Sequence, residues 1–316
     1  MAQQTAGIHH ITAFVRNAQE TVDFYSGVLG LRLVKKTINF DAPEVYHLYF
    51  GDEAGSPGTI ITFFPWAHSR KGQIGAGQVG TTTYAVPVGA FGFWQERLTK
   101  LQIPFTLTQR FSESYLEFVD PDGLQIEIVE RGKGAPSTWS FGGVPAEKAI
   151  KGFGGAILYS GAPDKTARLL EQVMGLRKYG TEGPYARFIA SGELGNIIDV
   201  NIAAMPMGHG GAGTVHHIAW RAADDADHLN WRNKVIETGF QPTPVIDRQY
   251  FNAIYFREAG GILFEIATDP PGFARDEDPD QLGEHLMLPS WLEEKRADIE
   301  ANLPPIEVRV LEEDSK

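Results

Sequence analysis

The chain has 316 residues, 42% of them hydrophobic and 22% charged, which fits a soluble globular protein long enough for two sizeable cores. A net charge of −12 argues against nucleic acid or an anionic membrane surface as partner, and with no cysteine any metal must be held by histidine, carboxylate or other oxygen donors. No apolar run approaches 18 residues and no basic-then-apolar segment opens the chain, so neither a membrane span nor a secretory signal is expected and the protein reads as cytoplasmic.

The first unit opens with GIHHITAF at 7–14, an alternating strand in which Ile11, Ala13 and Val15 form one apolar row. Such a row packs under a covering helix, and a helix is predicted next, over 17–29. His10 then points to the opposite face with Thr12 beside it, whereas His9 falls on the helix-side parity at the strand entrance. VLGLRLV closes the helix at Gly30, and a later strand, SPGTIITFF, carries Thr62 four residues past Gly58. His47 and Tyr49, on a strand between, read as pocket lining. The glycine-rich linker at 68–80 contains Gly75-Ala-Gly77-Gln-Val-Gly80, a literal dinucleotide fingerprint. A strand follows where that motif needs a helix N-terminus, so the segment reads as a flexible connector.

The second unit opens with GTTTYAVPV, which aligns Thr83 with His10, continues through a helix over 89–102, and ends on DPDGLQIEIVE with Glu127. Residues 131–151 join the halves. The third opens with GFGGAILY, aligning Gly155 with His10, has a helix over 163–174, and ends on LGNIIDV with Asp199. After another glycine-rich spacer at 206–213, TVHHIAW at 214–220 repeats the opening text 207 residues after its first copy. Ile218 and Trp220 form the apolar row, His217 faces away from it, and His216 shares the parity of His9. A helix over 224–238 follows, and AGGILFEIAT puts Glu265 four residues past Gly261. The acidic stretch 275–281 lacks the glycine and spacing of a calcium loop and reads as solvated surface. A terminal amphipathic helix is predicted over 289–303, docking through Trp291, Leu292 and Ile299.

The expected fold is α+β, with four βαβββ modules forming two cupped mixed-sheet domains. The modules span about 7–66 and 80–131 in a first half, 1–150, and about 152–204 and 213–269 in a second half, 151–316, which also carries the helical tail. Nine histidines would give roughly a quarter of one His-His pair by chance, so two pairs in matching register point to metal ligands. The candidate positions are His10/Thr62, Thr83/Glu127, Gly155/Asp199 and His217/Glu265. If unit one faces unit four, His10, His217 and Glu265 meet, the two-imidazole, one-carboxylate set that leaves open positions on ferrous iron. If unit four meets unit three, His217, Glu265 and Asp199 would suit a harder divalent ion. The first arrangement is preferred because it gives His10 a purpose.

The HHI openings and the DPDG…E strand end resemble the vicinal-oxygen-chelate superfamily. YHLYFGDEAGSPGT at 46–59, DRQYFNAIYFRE at 247–258 and GILFEIATDPPGF at 261–273 resemble its ring-cleaving dioxygenase branch. That branch includes hydroquinone 1,2-dioxygenases and Bacillus-type proteins linked to quinone and hydroquinone stress, and the resemblance covers essentially the whole chain. It implies Fe(2+) held by His10, His217 and Glu265, with His9, Thr12, His216, Arg248 and Tyr255 as catalytic residues around the ion. It also implies a small aromatic diol and O2 as partners, and ring opening beside a hydroxyl carbon in aromatic degradation or hydroquinone detoxification. An arginine and a phenol near a cation suit a phenolate, and a histidine can move protons. A glyoxalase-type lyase or isomerase, or a protein that binds quinones or a drug without turnover, would use the same scaffold. A structural zinc site would lack a fourth ligand. Exposed sheet edges are compatible with a homodimer.

Overall fold

Residues 3–314 are described by the structure, a computed structural model, and the four expected units are all present. Unit one comprises β1 (Ile8–Val15), α1 (Ala18–Val22) continued by a wider π-type turn at Asp23–Val28, β2 (Arg32–Asn39), β3 (Ala42–Gly51) and β4 (Ile60–Pro65). Unit two comprises β5 (Gln78–Val86), α2 (Phe91–Lys100), β6 (Thr106–Arg110), β7 (Glu113–Val119) and β8 (Gln125–Glu130). Unit three comprises β9 (Gly152–Tyr159), α3 (Pro163–Arg168) with a π-type turn at Leu169–Val173, β10 (Arg177–Glu182), β11 (Tyr185–Ile189) and β12 (Ile197–Asn201). Unit four comprises β13 (Thr214–Ala222), α4 (Asp225–Glu237), β14 (Ile246–Asp247), β15 (Phe251–Arg257) and β16 (Leu263–Pro271). Side-chain caps start α1 and α4: the Asn17 carbonyl accepts from the amides of Gln19 and Glu20, and the Asp224 carboxylate accepts from that of Asp227.

The strands build two curled mixed sheets of eight strands each, in the orders β14-β15-β16-β13-β1-β4-β3-β2 and β10-β11-β12-β9-β5-β8-β7-β6. Units one and four share the first sheet, and units two and three share the second. A cut at 150/151 therefore does not separate the sheets. Within its own unit each opening strand is paired on one side only, and its open edge is satisfied by the opening strand of another unit, β1 by β13 and β5 by β9.

Two irregularities in the β1–β13 ladder decide where the histidines go. Ile8 pairs with Trp220 and His10 with Ala219, so His9 is an extra residue; Thr12 pairs with His217 and Ala13 with Val215, so His216 is another. Each His-His pair is a β-bulge whose first member is unpaired. A bulge interrupts the alternation and re-aims a side chain. His9 and His216 accordingly lie against His10 and His217, not under the helices, which corrects the parity expectation. Gly80 and Gly154 are the matching extra residues between β5 and β9. The parallel registers Thr12–Thr62, Thr83–Glu127, Ile157–Asp199 and Ala219–Glu265 equate His10 with Thr81, Gly155 and His217. Thr83 is thus the counterpart of Thr12, two residues beyond the position expected for it.

The rows Ile11/Ala13/Val15 and Ile218/Trp220 are buried in the large core with Val22, Tyr25, Trp231 and Val235 from the helices. The other face of the first sheet packs separately, with Val34, Tyr49, Ile60 and Ala219 meeting Phe273 and Leu282 from the C-terminal segment. The acidic stretch 275–281 is mostly exposed, as expected, but Asp276 and the largely buried Glu277 side chain take the ammonium of the fully buried Lys35 at 2.8 and 2.6 Å. Beyond it lie a tight turn at Ser290–Lys295 and α5 (Arg296–Asn302), with Leu292 and Ile299 buried. Trp291 is mostly exposed and touches Phe40. The glycine-rich linkers are hydrogen-bonded to each other, Gln73 N to His209 O and Gly208 N to Ala76 O, both at 2.9 Å. Gly75 comes so close that a Cβ there would lie 2.6 Å from Pro206 O. Among the described residues no helix is long and apolar enough to cross a membrane.

Candidate metal centre

With β1 between β13 and β4, and β16 beside β13, three side chains of the expected set converge. His10 Nε2 lies 3.2 Å from His217 Nε2 and 3.2 Å from Glu265 Oε2, and His217 Nε2 lies 2.8 Å from the same oxygen. Together they form a group able to hold a metal ion. Donors about 2.1 Å from one ion and at right angles to each other sit about 3.0 Å apart, so this triangle fits three adjacent coordination positions. The surroundings fit as well. Glu265 is fully buried and, apart from the imidazoles, neither carboxylate oxygen has a close hydrogen-bond partner among the described residues, the Tyr255 hydroxyl making only a weaker approach. A carboxylate stripped of water is tolerated when it is paired or binds a metal. Burial pushes the Glu265 carboxyl up, but the two imidazoles outweigh that and hold it well below the usual range. Burial also keeps His217 below its ordinary value against the pull of Glu265, favouring the neutral form that a ligand must have.

Behind the triangle, His9 Nδ1 lies 2.9 Å from His10 Nδ1, and His216 Nδ1 lies 2.9 Å from His217 Nδ1. A cation on Nε2 of His10 and His217 would leave hydrogen on their Nδ1 atoms, which could then donate to His9 and His216. Both partners are suited to accept. Burial and His10 hold His9 well below the ordinary imidazole value, and burial and His217 lower His216 to about 3. Among the described residues His9 Nε2 is buried with no close hydrogen-bond partner, the Thr268 backbone being its weak one, whereas His216 opens onto a cavity.

That cavity, of about 390 Å³, lies over the triangle and is walled by Phe14, Phe40, Phe64, Trp66 and Phe251. Arg248 Nε donates to Tyr255 Oη at 3.2 Å, its Nη1 pairs with Asp41 at 3.2 Å, and the Tyr255 ring stands edge-on to His217 at 5.7 Å. Burial disfavours the Arg248 charge, but Tyr255, Asp41 and Glu265 outweigh it and keep the guanidinium protonated. Burial and Glu265 keep Tyr255 a neutral phenol, against Arg248. Elsewhere in the wall, Tyr49 Oη, His47, Thr62 Oγ1 and Thr12 Oγ1 are linked in order by three hydrogen bonds of 2.8 Å each.

Every residue expected at the site therefore lies at or near the triangle. His216, Arg248 and Tyr255 line the cavity, and His9 and Thr12 are buried. Sequence reasoning missed Phe251, which packs 4.8 Å from the His10 ring and 5.3 Å from that of His9. It also missed the linkage of Thr62 to His47, although Thr62 stands at the register position of Glu265. In the second sheet the equivalent carboxylates belong to an arginine network: Arg110 binds Glu127 and Asp199 at 2.6 and 2.7 Å, and Arg187 binds Asp199 at 2.7 Å.

The model of the Glyoxalase/Bleomycin resistance protein/Dioxygenase superfamily matches residues 7–128 and 153–266. A Bacillus subtilis (strain 168) protein named as ring-cleaving dioxygenase MhqO is 60% identical over 312 residues, covering 99% of this chain and 100% of the relative. The chlorohydroquinone/hydroquinone 1,2-dioxygenase of Sphingobium indicum is 36% identical over 308 residues, covering 93% and 94%. A crystal structure of a protein from Bacillus subtilis subsp. subtilis str. 168 has a TM-score of 0.97 at 60% identity, covering 98% of this chain and all of that one. Glyoxalase I from Zea mays, at 13% identity and a TM-score of 0.63 over 88% of this chain and 96% of its own, is alike in fold alone. The chain belongs to the Glyoxalase/Bleomycin resistance protein/Dioxygenase superfamily.

Proposed function

We propose that the protein is a non-haem Fe(II)-dependent dioxygenase that opens the ring of a hydroquinone- or catechol-type diol with O2. The observation that carries this reading is the triangle of His10, His217 and Glu265 beneath an aromatic-walled cavity. Two imidazoles and one carboxylate leave positions free on ferrous iron for a substrate and dioxygen. Bound iron would supply the electron exchange between ring and oxygen, for which no side chain here is suited.

The chain's own residues account for the rest. His10, His217 and Glu265 would hold Fe(2+), while His9 and His216 accept from the outer Nδ1–H groups and hold the ligand rings in one tautomer. Phe14, Phe64 and Phe251 offer flat apolar surface to an aromatic ring. Arg248 offers fixed positive charge to a ring oxygen as that oxygen loses its proton, and Tyr255 remains a phenol able to donate. His216, neutral and open to the cavity, carries its hydrogen on Nε2 when Nδ1 accepts from His217 and can donate a hydrogen bond to an oxygen of a bound ring. The names of the relatives support ring cleavage as the reaction and hydroquinones as the substrate class. A cytoplasmic role in aromatic degradation or hydroquinone detoxification fits this reading.

A glyoxalase-type reaction would favour a second carboxylate from unit one. Thr62 stands in that slot, and its hydroxyl is engaged by Thr12 and His47. The test is anaerobic reconstitution with iron(II), followed by oxygen uptake against a panel of hydroquinones and catechols. Uptake with at least one diol is expected. Its absence throughout, with methylglyoxal–thiol turnover by a nickel or zinc form, reverses the ranking; tight quinone binding without turnover supports sequestration.

A further inference from the structure

The reading above leaves one set of cavity groups without a task. Tyr49 and His47 line the cavity, and their rings lie 4.0 Å apart, with Phe64 packed 4.3 Å from the imidazole. The hydrogen-bond chain through them has a direction. Tyr49 is 1% exposed and its hydroxyl has one hydrogen-bond partner among the described residues, His47 Nδ1. A buried phenol left without an acceptor is costly, so Tyr49 donates to Nδ1. A neutral imidazole carries one donor and one acceptor, so Nε2–H then donates to Thr62 Oγ1, and Thr62 donates to Thr12 Oγ1. The lone pairs of Tyr49 Oη are left to accept. Where Arg248 offers only donors to a ligand, Tyr49 offers an acceptor.

The surroundings of His47 keep it neutral until a proton arrives. Burial, followed by His10, His217 and Arg248, lowers its proton affinity, and Glu265 opposes them; Tyr49 is the other titratable group against it. His47 is therefore neutral at rest with Nδ1 as an acceptor, and the free-energy cost of charging it must be offset by the phenolate formed in the same step. Tyr49 lines the same cavity as His10, His217, Arg248 and Tyr255, and burial, followed by Tyr255, raises the proton affinity of its hydroxyl and keeps it a neutral phenol.

We propose that Tyr49, backed by His47, takes the proton of the ring hydroxyl that is not on the cation; this rests on the reading of the cavity as a site for a dihydroxylated ring. The ligand O–H bond breaks and its proton passes to Tyr49 Oη, while the proton of Tyr49 passes to His47 Nδ1. The ring oxygen keeps the electron pair as a phenolate, and the imidazolium keeps its Nε2–H bond to Thr62. Nothing is oxidised or reduced in this step. Tyr49 is the group that touches the ring, and His47 is a positioning residue that acts through it.

The test uses the full-length protein loaded with zinc, without oxygen, and titrated with nitrohydroquinone, whose doubly ionised form absorbs at longer wavelength than the singly ionised form. Wild-type protein should show the long-wavelength band at neutral pH. In Tyr49→Phe and His47→Gln the second ionisation of the bound ring should move up by about one pH unit or more, at least tenfold in acidity. Zinc content and a thermal midpoint check that each variant still folds. Added imidazole should restore the band in His47→Ala but not in Tyr49→Phe, which a packing role would not produce. The proposal is overturned if nitrohydroquinone binds the wild type without the band, or if the band persists at the same pH in both variants. A ring that binds no form of the zinc-loaded protein sinks the diol reading itself, and this inference with it.

Discussion

Replacing His9 by leucine should separate metal affinity from stability. His9 and His10 are each 2% exposed, with their Nδ1 atoms 2.9 Å apart. When a cation occupies His10 Nε2, the ring hydrogen must sit on Nδ1, and without His9 that N–H points into a dry, apolar space. An unpaired buried donor costs about 1–3 kcal/mol, and loss of an outer hydrogen-bond partner typically weakens metal binding roughly 10- to 100-fold. Those ranges agree, since a tenfold change is about 1.4 kcal/mol. Without the cation His10 is not so constrained: its hydrogen can sit on Nε2, 3.2 Å from Glu265, leaving Nδ1 bare. The substitution also removes His9 Nε2, a buried nitrogen with no close hydrogen-bond partner among the described residues. Metal-free stability should therefore change by less than about 1 kcal/mol while metal affinity falls about 10- to 100-fold. Chelator competition for zinc, with thermal unfolding of the metal-free protein, measures the two quantities separately. Unchanged metal affinity together with an early-melting apoprotein would refute the reasoning. His216→Leu should cost less, because water in the cavity can replace the acceptor.

Lys35→Met would strand the buried Glu277 carboxylate beside Asp276, a loss of about 3–5 kcal/mol of the kind seen when one member of a buried ion pair is removed. Adding Asp276→Asn and Glu277→Gln should recover most of the lost melting temperature, and no recovery would mean that the lysine acts by packing alone. Acid should destabilise the metal-free protein from about pH 6.5 downward. Burial holds His9, His47 and His228 neutral in the fold, so the unfolded chain binds more protons in that window and stability falls with pH, by about 1.4 kcal/mol per pH unit for each imidazole. Urea unfolding at pH 7 and pH 5.5 checks this, and equal stability at both would contradict it. Gly155→Ala should destabilise by at least about 2 kcal/mol, because φ is +155° and a Cβ would lie 2.0 Å from Ile197 O; a thermal midpoint within a degree of wild type would rule that out.

What could be read from the sequence was whatever is carried along one strand or helix. The alternation in ITAFV and HHIAW identified the helix-facing rows, the glycine four residues before Glu265 located the carboxylate, and Asp224 and Asn17 marked helix starts. What could not be read belongs to pairs of strands. Nothing in IHHI announces that β13 will skip His9, so the alternation misplaced both His9 and His216. The offset of Thr83 from Thr81 has the same origin, since register becomes visible only once β5 lies against β8 and β9. Lys35 and Asp276 are 241 residues apart, and no local pattern marks an acidic stretch as the partner of one buried ammonium.

The two sheets meet the same electrostatic demand in different ways. Each opening strand is bulged immediately before the position that His10 and His217 occupy, and each last strand brings a side chain to the register of Glu265. In units two and three that side chain is Glu127 or Asp199, both buried, while Thr81 and Gly155 offer no imidazole. Buried carboxylates need a compensating charge. Arg110 and Arg187 supply it from neighbouring strands, with Arg110 stacked 3.6 Å over the Tyr115 ring. A guanidinium has no open coordination position and fills the space where a ligand would sit. Among the described residues of the first sheet no arginine pairs with Glu265, and the groups beside it are the imidazoles of His10 and His217, at 3.2 and 2.8 Å. Glu265 is thus left to the two imidazoles, a set that could hold a cation beneath an open cavity, as the proposed ring chemistry requires.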